Sequence, residues 1–340
     1  MNVEFGWDIP NVHHGFGLNS YVREGADEGV AVGVETFRQV SRRAEEIGFH
    51  AIWIADHVAF PDSSEVGHPF GYKANTGRED DNAGDRHNVR SDDPIFEALS
   101  VMSFLSALTT RCKIGVGVLV IPYRNPVLTA KMLSTIDVLS GGRIILTAGV
   151  GWLKEAFTAL DADYDNRGAV TSEYLDVMKV IWQEQRPRFD GSFYELPSGM
   201  QFNPKPLQKP HIPIWVGGVS KPALRRAATQ GTGWLGVYQT LEDTADLHRQ
   251  LGDLLRDRDR DPAEFTFAHR LRFQVTDELS DEPCIGSPRK IADSVRRYHD
   301  LGVEHLLLAP PPGPTTQALV RQADLFESEV KPLVADLWDD

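Results

Sequence analysis

The sequence predicts an α/β fold, a (β/α)8 TIM barrel, and three observations support this interpretation. Short apolar runs typical of buried parallel strands recur with helical segments between them, and eight such runs can be counted. Glycines and polar residues collect where several of these runs end, which is where barrel enzymes build their sites. The length of 340 residues suits one large domain, so we expect a single barrel over 1–340. A doubly wound open sheet is the alternative.

Each element is predicted from an apolar run bounded by stop and cap signals. An amphipathic helix ends at Gly48, and the last long helix has Ser287 as N-cap, Pro288 at its first position and Gly302 just beyond its end. The predicted strands cover residues 3–8, 51–55, 113–120, 143–148, 212–216, 234–238, 266–275 and 304–309. Two long segments, 61–93 after strand two and 186–210 in the fourth βα unit, predict insertions.

Composition narrows the class of protein. The net charge is −14 and no block of Lys and Arg occurs, which argues against nucleic acid and anionic membranes as partners. There is no 18-residue apolar run and no signal-peptide pattern at the N-terminus, so we expect a cytoplasmic protein. Cys112 and Cys284 show no metal or redox spacing and are interpreted as ordinary reduced residues. Because neither H-E-x-x-H nor C-x-x-C occurs, we expect no protein-bound metal.

The end of strand two carries a candidate proton-transfer pair, Asp56 and His57. An acid and a histidine that leave a buried strand at the active face suit acid–base chemistry near neutral pH. The alternative is that Asp56 caps a turn and that His57 is a rim histidine with a structural role.

Glycines mark two further places where something must approach the backbone. Strand three contains Gly115 and Gly117, which a flat aromatic ligand, a backbone distortion or simple barrel curvature would explain. Strand four runs into the turn Gly149-Val150-Gly151, which lets a ligand come close or is merely a tight turn. It is not a dinucleotide fingerprint, because Lys154 stands at the third glycine position.

Strand five ends in a sequence typical of a phosphate site at the start of a helix. Backbone N–H groups at such a start bind phosphate, and glycine lets the phosphate approach; a simple turn capped by a serine is the alternative. The stretch is Val216, Gly217, Gly218, Val219 and Ser220. The helix that follows is basic on one side, which would suit an acidic cofactor tail, through Lys221, Arg225 and Arg226.

Several motifs in this order resemble the bacterial luciferase-like monooxygenase superfamily, and in particular its actinobacterial branch that uses the deazaflavin coenzyme F420. They cover roughly residues 40 to 235. The matching stretches are Ala44-Glu45-Glu46-Ile47-Gly48-Phe49, Ile52-Trp53-Ile54-Ala55-Asp56-His57, and residues 114–122, 139–157, 204–206, 213–218, 227–228 and 231–234.

The resemblance implies a homodimeric (β/α)8 barrel with a deazaflavin or flavin ring on a bulged third strand. It implies a non-prolyl cis peptide at Gly117-Val118, and it places Asp56 and His57 near the reactive carbon of the ring. The residues expected to bind cofactor are Asp56, Gly117, Val118, Val150, Gly151, Trp152, Val216, Gly217, Gly218, Val219 and Ser220.

The chain departs from the sugar-phosphate dehydrogenases of this branch. Trp152 stands where they have a glutamate, and Phe60-Pro61 lies where their active-site tryptophan would be, so that activity is not expected. The long segment 61–93 is expected to cover the ring as a lid, with Phe70 or Tyr72 turned inward. A mobile solvent loop or a dimer contact is the alternative.

These inferences predict an oxidoreductase that transfers a hydride between C5 of coenzyme F420 and an unidentified small organic substrate, with His57 as proton donor or acceptor. One alternative is a two-component monooxygenase that uses reduced FMN supplied by a separate reductase, together with oxygen. Another is a flavin-binding barrel without catalytic activity.

Overall fold

A computed structural model describes residues 2–10, 33–59, 95–310 and 315–338 of the chain. Eight parallel strands form a closed barrel, because the two strands that end the run of eight, the strand at Thr266–Val275 and the strand at Gly233–Val237, also pair with each other. The barrel strands are β1 (Glu4–Asp8), β2 (Ala51–Ile54), β3 (Lys113–Val120), β4 (Ile144–Gly149), β7 (Ile214–Gly217), β8 (Gly233–Val237), β9 (Thr266–Val275) and β11 (His305–Ala309). The predicted (β/α)8 barrel is confirmed, and the open sheet is excluded.

Helices separate these strands and cover the outside of the barrel. They are α1 (Val34–Ile47), α2 (Ala98–Leu108), α3 (Pro126–Ser140), α4 (Lys154–Ala159), α5 (Arg167–Gln183), α6 (Lys221–Gln230), α7 (Leu241–Arg256), α8 (Pro288–Asp300) and α9 (Thr316–Leu325). The cap signals act as predicted. Gly48 ends α1 at φ 95°, and the Ser287 side chain accepts a hydrogen bond from Lys290 N at the start of α8.

The two predicted insertions differ in what the structure describes. Between α5 and β7 the chain forms an antiparallel hairpin of β5 (Phe189–Asp190) and β6 (Glu195–Leu196). The predicted lid, residues 61–93 with Phe70 and Tyr72, lies wholly outside the described residues. A short strand, β10 (Cys284–Gly286), extends the sheet beside the last part of β9.

The barrel interior explains part of the glycine pattern without a ligand. The inward side chains form one apolar cluster, to which Trp53 contributes an indole. A Cβ atom at Gly115 or at Gly6 would overlap this indole. The flat aromatic group that approaches β3 at Gly115 is therefore the protein's own Trp53.

Candidate active site

The third strand is distorted where the ring of a cofactor is expected. The pairing register between β3 and β4 shifts between Gly117 and Leu119, and the Gly117-Val118 peptide bond is cis, as predicted. The Val118 side chain reaches across to the ends of two neighbouring strands. It occupies the positions that Cβ atoms would take at Gly149 on β4 and at Gly217 on β7. We call this group of three residues, Val118, Gly149 and Gly217, the shelf.

The shelf makes a prediction about stability. Replacing Gly217 by alanine should lower the free energy of unfolding by about 1–3 kcal/mol, because the new methyl group overlaps Val118 in a packed site. The loss should shrink in a Val118→Ala background, since the shorter side chain leaves the space open. Urea unfolding of the two single variants and the double variant measures this coupling. Gly168→Ala on α5 is the matched control, because its Cβ meets only Arg226 at 3.6 Å. Equal losses in both backgrounds would contradict the contact.

The predicted phosphate turn follows the shelf directly. Gly218 has φ 106°, which only glycine adopts readily, and its carbonyl accepts a hydrogen bond of 2.8 Å from the Trp234 indole. Ser220 then caps α6, with its Oγ accepting from Ala223 N at 3.3 Å. The hydrogen bond from Trp234 thus fixes the turn, and the N-terminus of α6 lies beside the shelf. The Ser220 hydroxyl is therefore engaged as the N-cap of α6.

The expected basic side of α6 is only partly correct. Lys221 and Arg225 are exposed. Arg226 is 9% exposed and binds α5 instead, donating to Ser172 Oγ at 2.9 Å and to Gly168 O at 2.6 Å. The Arg226 side chain lies between α5 and α6 and joins these two helices. Its guanidinium is therefore not directed toward a ligand.

The turn after β4 also carries the glycine that its packing requires. Gly151 has φ 77°, and a Cβ atom there would lie 2.6 Å from Val120 and 2.9 Å from Phe157. Its carbonyl accepts from Arg167 Nε at 3.3 Å. Val150 and Trp152, on either side, are half-buried in this turn. The turn therefore brings these residues to the same end of the barrel as the shelf.

Asp56 is fully buried and its partners were not foreseen. Its Oδ2 accepts from Val120 N at 2.9 Å and from Arg124 Nη1 at 2.7 Å, and its Oδ1 accepts from Arg124 Nη2 at 2.7 Å. Arg124 also donates to Glu97, the N-cap residue of α2, at 2.8 Å. Although burial opposes its charge, the two acids raise the pKa of the Arg124 guanidinium. Asp56 thus ties the end of β2 to the end of β3.

Arg124 is the residue that the sequence interpretation missed. The signal was present, since Arg124 lies four residues beyond the end of strand three, but one sequence does not say which acid an arginine meets. His57 comes next after the anchored Asp56 and is half-buried at the same end of the barrel. The hydrogen bonds of Asp56 therefore fix the backbone from which His57 projects.

A cavity of about 660 Å³ opens at the opposite, N-terminal end of the barrel, lined in part by Glu4, Lys113 and Trp215. At its floor His305 Nδ1 lies 3.1 Å from Glu4, and its Nε2 accepts from Trp53 Nε1 at 3.1 Å. Burial lowers the pKa of His305, so this histidine is neutral. Both ring nitrogens have structural partners, which fits the stabilising role of this barrel end. The pocket predicted at the other end is bordered in sequence by undescribed segments and stays a prediction.

The sequence also makes expectations about metal binding, the two cysteines and membrane spans. Within the described ranges, no group of three or more His, Cys, Asp or Glu side chains could hold a metal ion. Cys112 and Cys284 are buried without a disulfide, and burial raises the pKa of each thiol to about 12. Both therefore stay protonated at neutral pH. In the part of the chain that the structure describes, every helix is too short or too polar to traverse a bilayer.

A closed βα barrel with a shelf beside a helix N-terminus defines a class of proteins that bind ligands at the C-terminal strand ends. This chain belongs to the luciferase-like monooxygenase family, whose model matches residues 15–281.

Two of its relatives have names that state different cofactors. The chain is 24% identical over 344 residues to the F420-dependent glucose-6-phosphate dehydrogenase of Intrasporangium calvum, covering 85% of this chain and 92% of that one. It is 35% identical over 141 residues to the FMNH2-dependent dimethylsulfone monooxygenase of Pseudomonas putida, covering 41% of this chain and 38% of that one. An F420-dependent secondary alcohol dehydrogenase in complex with an F420–acetone adduct shares the fold, with a TM-score of 0.72, 16% identity, and coverage of 98% and 99%.

Proposed function

We propose that this protein is a coenzyme F420-dependent oxidoreductase acting on a small organic substrate. The observation that carries the proposal is the shelf of Val118, Gly149 and Gly217, with the N-terminus of a basic helix directly beside it. A flat ring needs an apolar surface of this kind, and a phosphate needs the adjoining backbone amides. When bound, the deazaflavin donates or accepts a hydride at C5.

The residues present fit such a group. Val118 would support the ring, together with Gly117 and the turn of Val150, Gly151 and Trp152. The phosphate would be held by backbone amides at the start of α6, in the stretch Val216, Gly217, Gly218, Val219 and Ser220. The left-handed Gly218 lacks a Cβ atom that would crowd this turn, where added carbon would meet Ala223 at 3.3 Å.

His57 is the proposed proton donor or acceptor, because it is the titratable residue next to the anchored end of β2. Asp56 is assigned a positioning role. Its two oxygens are engaged by Val120 and Arg124, so it holds the backbone before His57 in place and does not take part in proton transfer itself.

The choice of F420 over FMN rests on the positive charge of α6 and on the share of the chain that the F420-dependent relative matches. F420 carries an acidic tail that FMN lacks, and Lys221 and Arg225 are exposed on α6 beside the phosphate turn. The F420-dependent relative matches most of both chains. Glucose 6-phosphate is not proposed as substrate, because Trp152 and Phe60 replace the residues expected for that activity.

A two-component FMN monooxygenase, with oxygen and a separate reductase, is the second candidate. The relative that favours it has the higher identity, 35%, although over 141 residues. A barrel that binds either cofactor without turnover is the remaining alternative.

Titration of the purified protein with each cofactor tests the proposal. F420 should bind at least about tenfold more tightly than FMN. Quenching of tryptophan fluorescence measures both dissociation constants. Lys221→Gln and Arg225→Gln should each weaken F420 by about twofold to fivefold and leave FMN unchanged, since only F420 has the acidic tail. Arg249→Gln on α7 is the control, because its side chain is exposed and forms an ion pair with Asp246 on the same helix. Equal or reversed affinities would favour the FMN monooxygenase.

The homodimer, the cytoplasmic location and the single domain over 1–340 stay predictions of the sequence. Light scattering of the purified chain measures the oligomeric state directly.

A further inference from the structure

Charged side chains collect on the half of the barrel mouth that faces the shelf. Arg270 and Arg272 lie on β9, two and four residues beyond Ala268, which belongs to the apolar interior of the barrel. Because alternate residues of a strand share a face, both arginines point inward. β9 pairs with β8 and β11, whereas the shelf lies on β3, β4 and β7. The arginines therefore lie across the mouth from the shelf.

Among the described residues, each arginine forms an ion pair with an acid. Arg270 Nη2 forms an ion pair with Asp8 at the end of β1, and Arg272 Nη1 lies 2.9 Å from Glu282 Oε1. The Arg272 side chain is only 1% exposed, and that of Asp8 is 9% exposed. Buried ion pairs often contribute no more to stability than apolar side chains of the same size, so stability alone does not account for charged side chains next to the apolar interior of the barrel.

Tyr238 completes the group through an unusual backbone conformation. It is a non-glycine residue at φ 63°, directly after β8, and outliers of this kind cluster at functional sites. Its N–H donates to Arg270 O at 3.0 Å, and the neighbouring Gln239 side chain bonds both backbone groups of Val237. The turn places the phenol ring against the guanidinium of Arg272, with 4.2 Å from Cζ to the ring centroid, and 5.6 Å from that of Arg270.

We propose that these five residues, Asp8, Tyr238, Arg270, Arg272 and Glu282, form a charged box that binds a carboxylate group of the substrate. The inference rests on the proposed function, since the box would be the substrate half of the same mouth. A carboxylate there would lie opposite the shelf, with the reacting part of the molecule directed toward it.

The chemistry of the box favours a planar anion. A guanidinium presents its N–H donors in one plane, and this fork matches the two oxygens of a carboxylate. The Tyr238 ring packs against the guanidinium of Arg272, and low exposure to water strengthens charge-assisted hydrogen bonds. Asp8 and Glu282 hold the arginines in place before substrate arrives and compete with it afterwards.

That competition gives variants with opposite expected effects. Benzoate is the probe and benzamide its neutral analogue of the same shape, both titrated by calorimetry into the cofactor-free full-length chain. Benzoate should bind wild type about tenfold or more tightly than benzamide. Arg272→Gln should weaken benzoate by about 10-fold to 100-fold and leave benzamide unchanged, whereas Asp8→Asn should tighten benzoate because a competing carboxylate is removed. Arg249→Gln, which changes an exposed side chain on α7, should change neither.

A structural role would instead make both box variants lose affinity together with stability. The inference is overturned if benzoate and benzamide bind wild type equally, or if Asp8→Asn weakens benzoate as Arg272→Gln does. Should Arg272→Gln fail to fold, Arg270→Lys keeps the charge, loses the planar fork, and should weaken benzoate in the same direction. Because no cofactor is present, failure of F420 binding leaves this result intact, and failure of benzoate binding leaves the F420 proposal intact.

Discussion

Replacing His57 by alanine is expected to lower turnover by about 10²–10⁴-fold, because a general acid or base typically contributes that much to the rate. The affinity for F420 should change by less than about tenfold, since the proposed cofactor contacts lie on other strands. The measurement is the change in visible absorbance of the deazaflavin with any organic substrate that the wild-type protein turns over. Binding is measured separately by fluorescence.

The matched control is His299→Ala on α8, far along the chain from the shelf. The same chemical change there should leave turnover and cofactor affinity at the wild-type value. If His57→Ala also keeps its turnover, the proton comes from elsewhere and His57 is a structural residue of the rim.

Replacing Arg124 by glutamine is expected to lower the free energy of unfolding by about 3–5 kcal/mol. The substitution leaves Asp56, whose side chain is 0% exposed, without the bidentate partner that compensates its charge. Glu97 at the start of α2 loses the same partner. Urea unfolding monitored by circular dichroism gives the value.

The double variant Arg124→Gln with Asp56→Asn should recover part of this loss, because no uncompensated Asp56 charge then remains in the interior. Arg249→Gln, which removes an exposed ion pair with Asp246, should cost no more than about 0.5 kcal/mol. A loss of that small size in Arg124→Gln would mean that the network does not hold the ends of β2 and β3 together.

The sequence by itself determined the barrel. Each of the eight predicted strands overlaps an observed one, with bounds that agree to within two residues. Apolar runs and caps are local signals, and the chain obeys them because they agree with the global fold. The glycine at Gly48 and the cap at Ser287 act as predicted for the same reason. The bulged third strand came from the family resemblance, which the distorted pairing at Gly117 bears out.

Only the tertiary structure decided which groups meet. Gly149 and Gly217 lie far apart in sequence, yet both are required by the single side chain of Val118. Asp56 binds Arg124, and Arg226 binds a neighbouring helix, and neither partner could be read from the sequence. The charged box joins Asp8 to Arg270 over more than 260 residues. A side chain's partner depends on strand register and on closure of the barrel, which bring distant residues together, and local sequence patterns specify the elements but not these contacts.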